Sequence, residues 1–298
     1  MKCDKCRRNA VLFQEYSGKH LCEHHLELYV EAKAKHEIRR HTWILPGDHV
    51  AVALNGNSSS SALLYFMKKL TSDRRDIKIS AISLDEGINE YHDPECAVRI
   101  AGMLDTDCIT GSFQENFSIP LGEIVRRKGA AVSCTYCRAL RNFLLNRIAV
   151  EHGVTKLALG QTLDDGALYV LKNVLGGTPE ILVHAERVAS GIVPRIRPFI
   201  SIPYNEVALY ADLHNLKYDQ STCPYKDDIF EENVQALLND FTRHHPATKY
   251  ALYNLGKHLT STCNSMADAI SICEQCGEPT DGICQSCRII SEVTTHGA

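Results

Sequence analysis

The feature that most constrains this chain is a pair of metal-binding hooks near each end. Each hook is two ligand residues separated by two others: Cys3, Cys6, Cys22 and His25 at the N-terminus, and Cys273, Cys276, Cys284 and Cys287 at the C-terminus. His24 is the alternative fourth ligand, but the two-residue spacing favours His25. Two hooks complete the tetrahedron that zinc prefers, and four protein ligands close the site. The sequence therefore predicts two structural zinc ions, each in a small zinc-finger module.

The cysteine content also indicates where the chain works. There are 13 cysteines, an odd number that excludes a fully paired disulfide framework. No apolar run approaches the roughly 20 residues of a membrane helix, and the N-terminus lacks the apolar core of a signal peptide. We therefore expect a cytoplasmic protein without membrane association, whose clustered cysteines bind metal or carry out sulfur chemistry. The net charge of −4 argues mildly against a surface that binds polyanions as a whole and does not exclude a local basic patch.

Strand and helix patterns alternate between the two modules. Strand-like runs at 49–54, 77–84 and 156–159 are each followed by a helix-like segment. This alternation predicts an α/β fold, a Rossmann-like parallel sheet with helices on both faces. The expected units are an N-terminal zinc finger (1–30), a connector helix (31–48), the α/β domain (49–225), a helical extension (226–265) and a C-terminal zinc finger (268–292).

A turn of small polar residues, from Asn55 to Ser60, follows the first of these strands. A strand, a small-residue loop and a helix N-terminus form a cradle for phosphate, because unpaired backbone N–H groups point outward there. The turn contains no GKS or GKT and is not a Walker loop. A polar turn with a serine-capped helix explains these residues equally well.

Three further cysteines stand apart from the zinc hooks. Cys134 and Cys137 form a CxxC pair at the start of a predicted helix, and Cys223 follows 86 residues later. Three thiolates can hold three irons of a [4Fe–4S] cluster and leave the fourth iron open. The helix N-terminus is expected to lower the pKa of these thiols. The alternative is a buried CxxC pair to which Cys223 is unrelated.

Taken in order along the chain, these features resemble the TtuA-like family of PP-loop tRNA 2-thiolation enzymes, which includes the wobble-uridine thiolases. Besides the hooks and the polar turn, the matching segments are Leu84–Ile88, Cys134–Cys137, Gly160–Asp165, Cys223–Tyr225 and His245–Lys249. The resemblance implies a HUP/PP-loop domain and a tRNA sulfurtransferase that forms 2-thiouridine. In the family, ATP adenylates the uridine, and sulfur is then delivered at the three-cysteine site.

The resemblance also implies roles for residues of this chain. Cys134, Cys137 and Cys223 would hold a [4Fe–4S] cluster, and Cys134 and Cys223 would be catalytic. The positions expected around ATP and Mg²⁺ are Ala53, Leu54, Asn55, Gly56, Asn57, Ser58, Ser59, Ser60, Gly160 and Asp164. The implied partners are tRNA, a ubiquitin-like thiocarboxylate carrier or sulfide as sulfur donor, and a second copy in a homodimer.

The polar turn departs from the family pattern at its charged positions. The family's loop reads SGGKDS, and here Ser58 replaces the lysine that faces the phosphates while Ser59 replaces the aspartate that helps to place Mg²⁺. Each lost electrostatic contact of this kind costs about 10²–10³ in rate. Gly166 also stands where the family usually has an acidic residue.

Three hypotheses follow from this departure. The first is a working thiolase in which Lys156 or nearby arginines supply the missing charge. The second is a catalytically silent paralogue that acts as a scaffold or tRNA-binding partner of an active thiolase. The third is an ATP-independent, cluster-based sulfur-transfer enzyme. The retained cysteines favour sulfur transfer to tRNA, and the altered loop argues against ATP-dependent adenylation.

Overall fold

The computed structural model describes residues 1–88, 94–130, 133–179, 182, 191–221, 223–225, 228–263, 273–275 and 282–294. The strands are β1 (Leu12–Gln14), β2 (Lys19–Leu21), β3 (His49–Ala53), β4 (Lys78–Asp85), β5 (Cys108–Ser112), β6 (Lys156–Ala158) and β7 (Arg195–Ile196). Strands β3 to β7 form a parallel sheet in the order β5-β4-β3-β6-β7. The prediction of an α/β fold with a parallel sheet is confirmed.

Eleven helices complete the described part of the chain. They are α1 (Glu23–Arg40), α2 (Ser58–Leu70), α3 (Pro94–Met103), α4 (Phe113–Phe117), α5 (Leu121–Lys128), α6 (Ser133–Glu151), α7 (Leu163–Leu175), α8 (Tyr204–Leu213), α9 (Ile229–His244), α10 (Thr248–Cys263) and α11 (Gln285–Thr294). None of them, within the described residues, is long and apolar enough to cross a membrane.

The central strand β3 explains why helices cover both faces of the sheet. Val50, Ala51 and Val52 are all completely buried, and successive side chains of a strand point to opposite faces. Val50 and Val52 pack into an apolar cluster with residues of α1, α2 and α8. Ala51 packs into a second cluster that contains residues of α6. An apolar run without polar alternation is therefore what a doubly covered parallel sheet requires.

The two ends of the chain are tied to the α/β core by helices. Helix α1 begins in the N-terminal module and runs to Arg40, so the expected boundary at residue 30 falls inside one continuous helix. Val30 and Ala34 of this helix belong to the core cluster. At the other end, Ile289 and Val293 of α11 belong to the cluster that contains α6. Both modules thus share apolar packing with the sheet layers.

Candidate functional site

The N-terminal ligand set has the geometry of a zinc site. The donor atoms of Cys3, Cys6, Cys22 and His25 all lie within 4.8 Å of one another. The Sγ atoms of Cys6 and Cys22 are 3.7 Å apart, close to the roughly 3.8 Å edge of a tetrahedron with Zn–S bonds of about 2.3 Å. His25 Nδ1 lies 3.3 Å from the sulfurs of both Cys3 and Cys22. These residues fit zinc, with His25 as the fourth ligand.

The C-terminal set is equally compact in the part that the structure describes. Cys273, Cys284 and Cys287 are buried, and their sulfur atoms lie within 4.8 Å of one another. The backbone N–H of Cys284 donates to Cys273 Sγ, and that of Cys287 donates to Cys284 Sγ, both at 3.3 Å. The fourth expected ligand, Cys276, lies outside the described residues. Three converging thiols with N–H donors suit a zinc thiolate site.

The three central cysteines are brought together by the start of α6. Cys134 and Cys137 lie in the first turns of this helix. The segment that carries Cys223 is attached there, because Ser133 Oγ donates a hydrogen bond to the carbonyl oxygen of Tyr225. The Tyr225 hydroxyl lies against α5, where a Cβ at Gly122 would come within 3.2 Å of it. Helices α5 and α6 and the 223–225 segment therefore hold the thiols as one unit.

Burial, rather than the helix N-terminus, dominates the ionisation of Cys137 and Cys223. Burial raises the pKa of Cys137 to about 11; Arg141 opposes this rise, whereas Glu86, Cys223 and Cys134 add to it. Burial also raises the pKa of Cys223. The expected lowering is therefore wrong for these two residues. A protonated thiol is a poor nucleophile, whereas iron ligation replaces the proton. The donor set thus fits a metal cluster better than a free nucleophilic cysteine.

The spacing of these thiols differs from that of the zinc sites. In the described part of the chain, the sulfur atoms of Cys134, Cys137 and Cys223 do not all lie within 4.8 Å of one another. One ion needs its ligands that close, whereas an iron–sulfur cluster takes one thiolate at each of several irons. The wider spacing is consistent with a multi-iron cluster.

A cavity of about 440 Å³ lies at the carboxyl ends of β3, β4 and β6. Of the predicted nucleotide positions, those on its wall are Ala53, Leu54, Asn55, Asn57, Ser59, Ser60 and Gly160. A Cβ at Gly160 would lie 2.8 Å from the backbone nitrogen of Ser60, so only glycine allows this close approach. We call this space the nucleotide cavity.

The polar turn leads into α2 as a phosphate cradle should. The Asn57 side chain accepts the N–H of Ser60 at 2.9 Å and caps the helix. The N–H groups of Ser58 and Ser59, in the same first turn, have no intrahelical partner and suit a bound anion. Gly56 does not line the nucleotide cavity but provides the positive φ of 79° in the turn. The turn thus has the geometry of a phosphate cradle, and Ser58 and Ser59 give it no charged side chain.

Two predicted nucleotide residues point elsewhere. Asp164 accepts the N–H of Tyr204 at 2.7 Å and pairs with Lys249 at 2.5 Å, and it does not line the nucleotide cavity. Its neighbour Asp165 does line the cavity, so Asp165 rather than Asp164 faces this space. Ser58 is buried, and its hydroxyl donates to the Tyr204 hydroxyl at 3.2 Å.

Two arginines on α6 are functional candidates that the sequence interpretation covered only as arginines near the polar turn. Arg138 and Arg141 line the nucleotide cavity. Arg141 also donates to Glu86 at 2.8 Å and to Cys137 Sγ at 3.4 Å. The sequence feature that could have identified these arginines is their spacing. Each lies four residues after a cysteine of the CxxC pair and therefore on the same face of the helix. Arg141 joins the thiol site to the nucleotide cavity.

Lys156, the other candidate for the missing charge, is placed differently. It is the first residue of β6 and pairs with Val50 near the beginning of β3. The polar turn follows the opposite end of β3. Lys156 therefore lies away from the nucleotide cavity, and the arginines of α6 are the cations beside it.

The parallel sheet, the polar turn entering a helix and the cavity at the strand ends define a PP-loop α/β protein. The family model of the PP-loop domain matches residues 26–234, and that of the N-terminal LIM domain of 2-thiouridine synthetase TtuA matches residues 2–27. The chain belongs to the TtuA-like PP-loop family of tRNA 2-thiolation proteins.

Individual relatives match over almost the whole chain. The tRNA 2-thiolation protein NcsA of Haloferax volcanii is 30% identical, over 98% of this chain and 99% of that protein. The tRNA-5-methyluridine(54) 2-sulfurtransferase of Pyrococcus horikoshii is 26% identical, over 97% and 93%. Among solved structures, the U34-tRNA thiolase NcsA from Methanococcus maripaludis with its [4Fe–4S] cluster superposes with a TM-score of 0.86 at 26% identity, covering 98% and 96% of the two chains.

Proposed function

We propose that this protein is a tRNA sulfurtransferase that forms 2-thiouridine. The observation that carries the proposal is the convergence of three thiols beside the nucleotide cavity, with Arg141 in contact with both. Relatives named for tRNA 2-thiolation, one of them solved with its [4Fe–4S] cluster, support the same conclusion. The retained thiol site favours this function over a silent scaffold, which has no need of it.

Cys134, Cys137 and Cys223 would hold the [4Fe–4S] cluster. When bound, the cluster would supply a metal site from which sulfur reaches the uridine. We assign Cys134 and Cys223 as catalytic on the resemblance to the family, while Cys137 accepts the hydrogen bond of Arg141. The chain's own part is to hold the three partly buried thiols together and to place a guanidinium beside Cys137.

We infer that the nucleotide cavity binds ATP with a weakened catalytic apparatus. Arg138 and Arg141 are the guanidinium groups on its wall, beside the carboxylates of Glu86 and Asp165, and they are the candidates for the hypothesis of replacement by nearby arginines. Ser58 and Ser59 provide neither the lysine for the phosphates nor the carboxylate for Mg²⁺. If each loss costs about 10²–10³ in rate, adenylation is slow. Two zinc ions, a sulfur carrier or sulfide, a homodimer and a cytoplasmic location complete the proposal.

Anaerobic purification followed by metal, sulfide and tRNA assays tests the function. We expect about four irons and four sulfides per chain, and 2-thiouridine detected by mass spectrometry of digested tRNA. Replacing any of Cys134, Cys137 or Cys223 by serine should abolish both, whereas Cys108→Ser in β5 is the matched control that retains them. A protein without iron and without 2-thiouridine formation would select the role of a silent partner.

ATP use is tested separately by restoring the loop. The double variant Ser58→Lys/Ser59→Asp should raise tRNA-dependent pyrophosphate release by about 10²-fold or more. An intact cluster that thiolates tRNA at the same rate with and without ATP would instead select the ATP-independent hypothesis.

A further inference from the structure

The polar turn and the start of α8 meet at Tyr204. This residue lines the nucleotide cavity and also a neighbouring cavity of about 260 Å³, and it is 49% exposed. Its hydroxyl oxygen lies 3.2 Å from the hydroxyl of Ser58, in the first turn of α2. Tyr204 is outside the segments that carry the family resemblance, and the sequence interpretation gave it no role.

The hydroxyl of Tyr204 has a hydrogen-bond donor to offer. In its contact with Ser58 the serine hydroxyl donates, so the tyrosine oxygen accepts and keeps its own O–H for another group. Within the part of the chain that the structure describes, no acceptor receives that O–H. Other tyrosine hydroxyls donate to a carboxylate, namely those of Tyr16, Tyr136, Tyr210 and Tyr218. Tyr204 therefore differs from them in leaving its donor to the space that it lines.

The groups beside this hydroxyl are donors as well. The N–H groups of Ser58 and Ser59 belong to the first turn of α2 and have no intrahelical partner. Ser59 and Ser60 line the nucleotide cavity together with Tyr204. The Ser60 hydroxyl is already used, because it donates to Asn55 Oδ1 at 2.7 Å. Uncharged N–H and O–H donors suit a ligand that only accepts, and an anionic phosphate oxygen makes the strongest bond of this kind.

The backbone of Tyr204 is held by contacts that do not use its hydroxyl. Its N–H donates to Asp164 Oδ2 at 2.7 Å, and Asp164 Oδ1 lies 2.5 Å from Lys249 Nζ. Two residues further along α8, the buried side chain of Glu206 accepts the hydroxyl of Tyr16 at 2.7 Å. These contacts join the first turns of α7, α8 and α10 to the N-terminal module. The position of Tyr204 is thus set independently of what its hydroxyl binds.

We propose that Tyr204 is a phosphate-binding residue of the nucleotide cavity, whose hydroxyl donates to the phosphate chain of ATP. Ser58 lies directly beside that hydroxyl and carries no charge, so the tyrosine adds one uncharged donor where the loop has no cation. The inference rests on the proposed function only in taking ATP as the ligand. A phosphate of the RNA substrate offers the same chemistry, so the two sources are separated by experiment.

The test measures binding of ATP, adenosine and tRNA to the anaerobically purified full chain. Tyr204→Phe removes the hydroxyl alone and should weaken ATP binding about tenfold or more, the loss of one hydrogen bond to a charged group. Adenosine has no phosphate, so its affinity should not change. Tyr218→Phe is the matched control and should leave ATP binding unchanged, because its hydroxyl donates to Asp212 and Tyr218 does not line the nucleotide cavity. Thermal melting shows that each variant is folded.

A further variant separates a direct contact from an effect exerted through Ser58. Ser58→Ala removes the donor to Tyr204 but leaves the tyrosine O–H, so it should weaken ATP binding less than Tyr204→Phe does. Equal losses of ATP affinity in the two variants would show that the pair of hydroxyls only supports the turn, and would overturn the direct contact.

Weaker ATP binding by folded Tyr204→Phe, with unchanged adenosine binding, supports the phosphate contact. Unchanged ATP binding, or equal weakening of ATP and adenosine binding, overturns it. Weaker tRNA binding with unchanged ATP affinity assigns the hydroxyl to an RNA phosphate and overturns ATP as the ligand. Formation of 2-thiouridine is measured in parallel. Thiolation by a chain that binds no ATP refutes this inference and leaves sulfur transfer standing, whereas Tyr204-dependent ATP binding without thiolation refutes only the proposed function.

Discussion

Replacing Arg141 by methionine removes the charge that joins the thiol site to the nucleotide cavity while keeping an unbranched side chain on α6. Arg141 Nη2 lies 2.7 Å from Glu86 Oε1, and the side chains of Arg141 and Glu86 are 42% and 7% exposed. Breaking a fully buried pair costs about 3–5 kcal/mol, and an exposed pair contributes about 0–1 kcal/mol. Since one partner is screened by water, we expect Arg141→Met to lower the free energy of unfolding by about 2 kcal/mol.

A double-mutant cycle isolates this contribution. Glu86→Gln alone leaves Arg141 without its carboxylate, and the double variant Glu86→Gln/Arg141→Met leaves no unpaired charge. The double variant should therefore be more stable than the sum of the single effects predicts, by about 1–2 kcal/mol. Urea unfolding, followed by circular dichroism under anaerobic conditions with zinc present, measures each corner. Effects that add within about 0.5 kcal/mol would refute the coupling.

Three further outcomes follow from the packing. Cys287→Ser should reduce zinc from about two ions per chain to about one, and because α11 supports α6 it should also lower the iron content. Cys3→Ser should lose zinc but keep iron. Equal iron loss in the two variants would contradict this expectation. Gly160→Ala should lower the free energy of unfolding by about 1–3 kcal/mol, because its Cβ would meet the backbone of Ser60; an unchanged urea midpoint would be the contrary result. Burial raises the pKa of Glu206, so its protonated form favours the folded state at low pH, and this stability is lost as pH rises through the raised pKa. Glu206→Gln should therefore reduce the fall in the free energy of unfolding as pH rises. Parallel curves of unfolding free energy against pH for the two proteins would show that the carboxyl is not responsible.

The sequence predicted the parts of the fold that rest on local patterns. The runs that became β3, β4 and β6 are apolar and central, and the CxxC hooks fix their ligands by spacing. Strands β5 and β7 were not anticipated, because Cys108–Ser112 and Arg195–Ile196 are short edge strands without a strong apolar pattern. Their pairing depends on the neighbouring strand rather than on their own composition.

The candidate site, like the fold, was predicted only in part from the sequence. Spacing identified the thiols and the polar turn, but not which of Asp164 and Asp165 faces the nucleotide cavity. That choice depends on the backbone N–H of Tyr204 and on Lys249, which are distant in sequence and bind the Asp164 carboxylate. The pKa of Cys137 was likewise misjudged, because the burial that raises it arises only when the layers pack.

Helix α6 carries both the CxxC pair and the arginines of the nucleotide cavity, and this has a consequence for how the two sites can vary. Four residues of helix advance about 6 Å along the axis and return to almost the same face. The helix therefore fixes the distance and orientation between the thiol site and the nucleotide cavity. A loop can change in sequence without moving a distant group, but inserting one residue between Cys137 and Arg141 would rotate the arginine by about 100°. We expect the interval between them to be less tolerant of change than the loop itself.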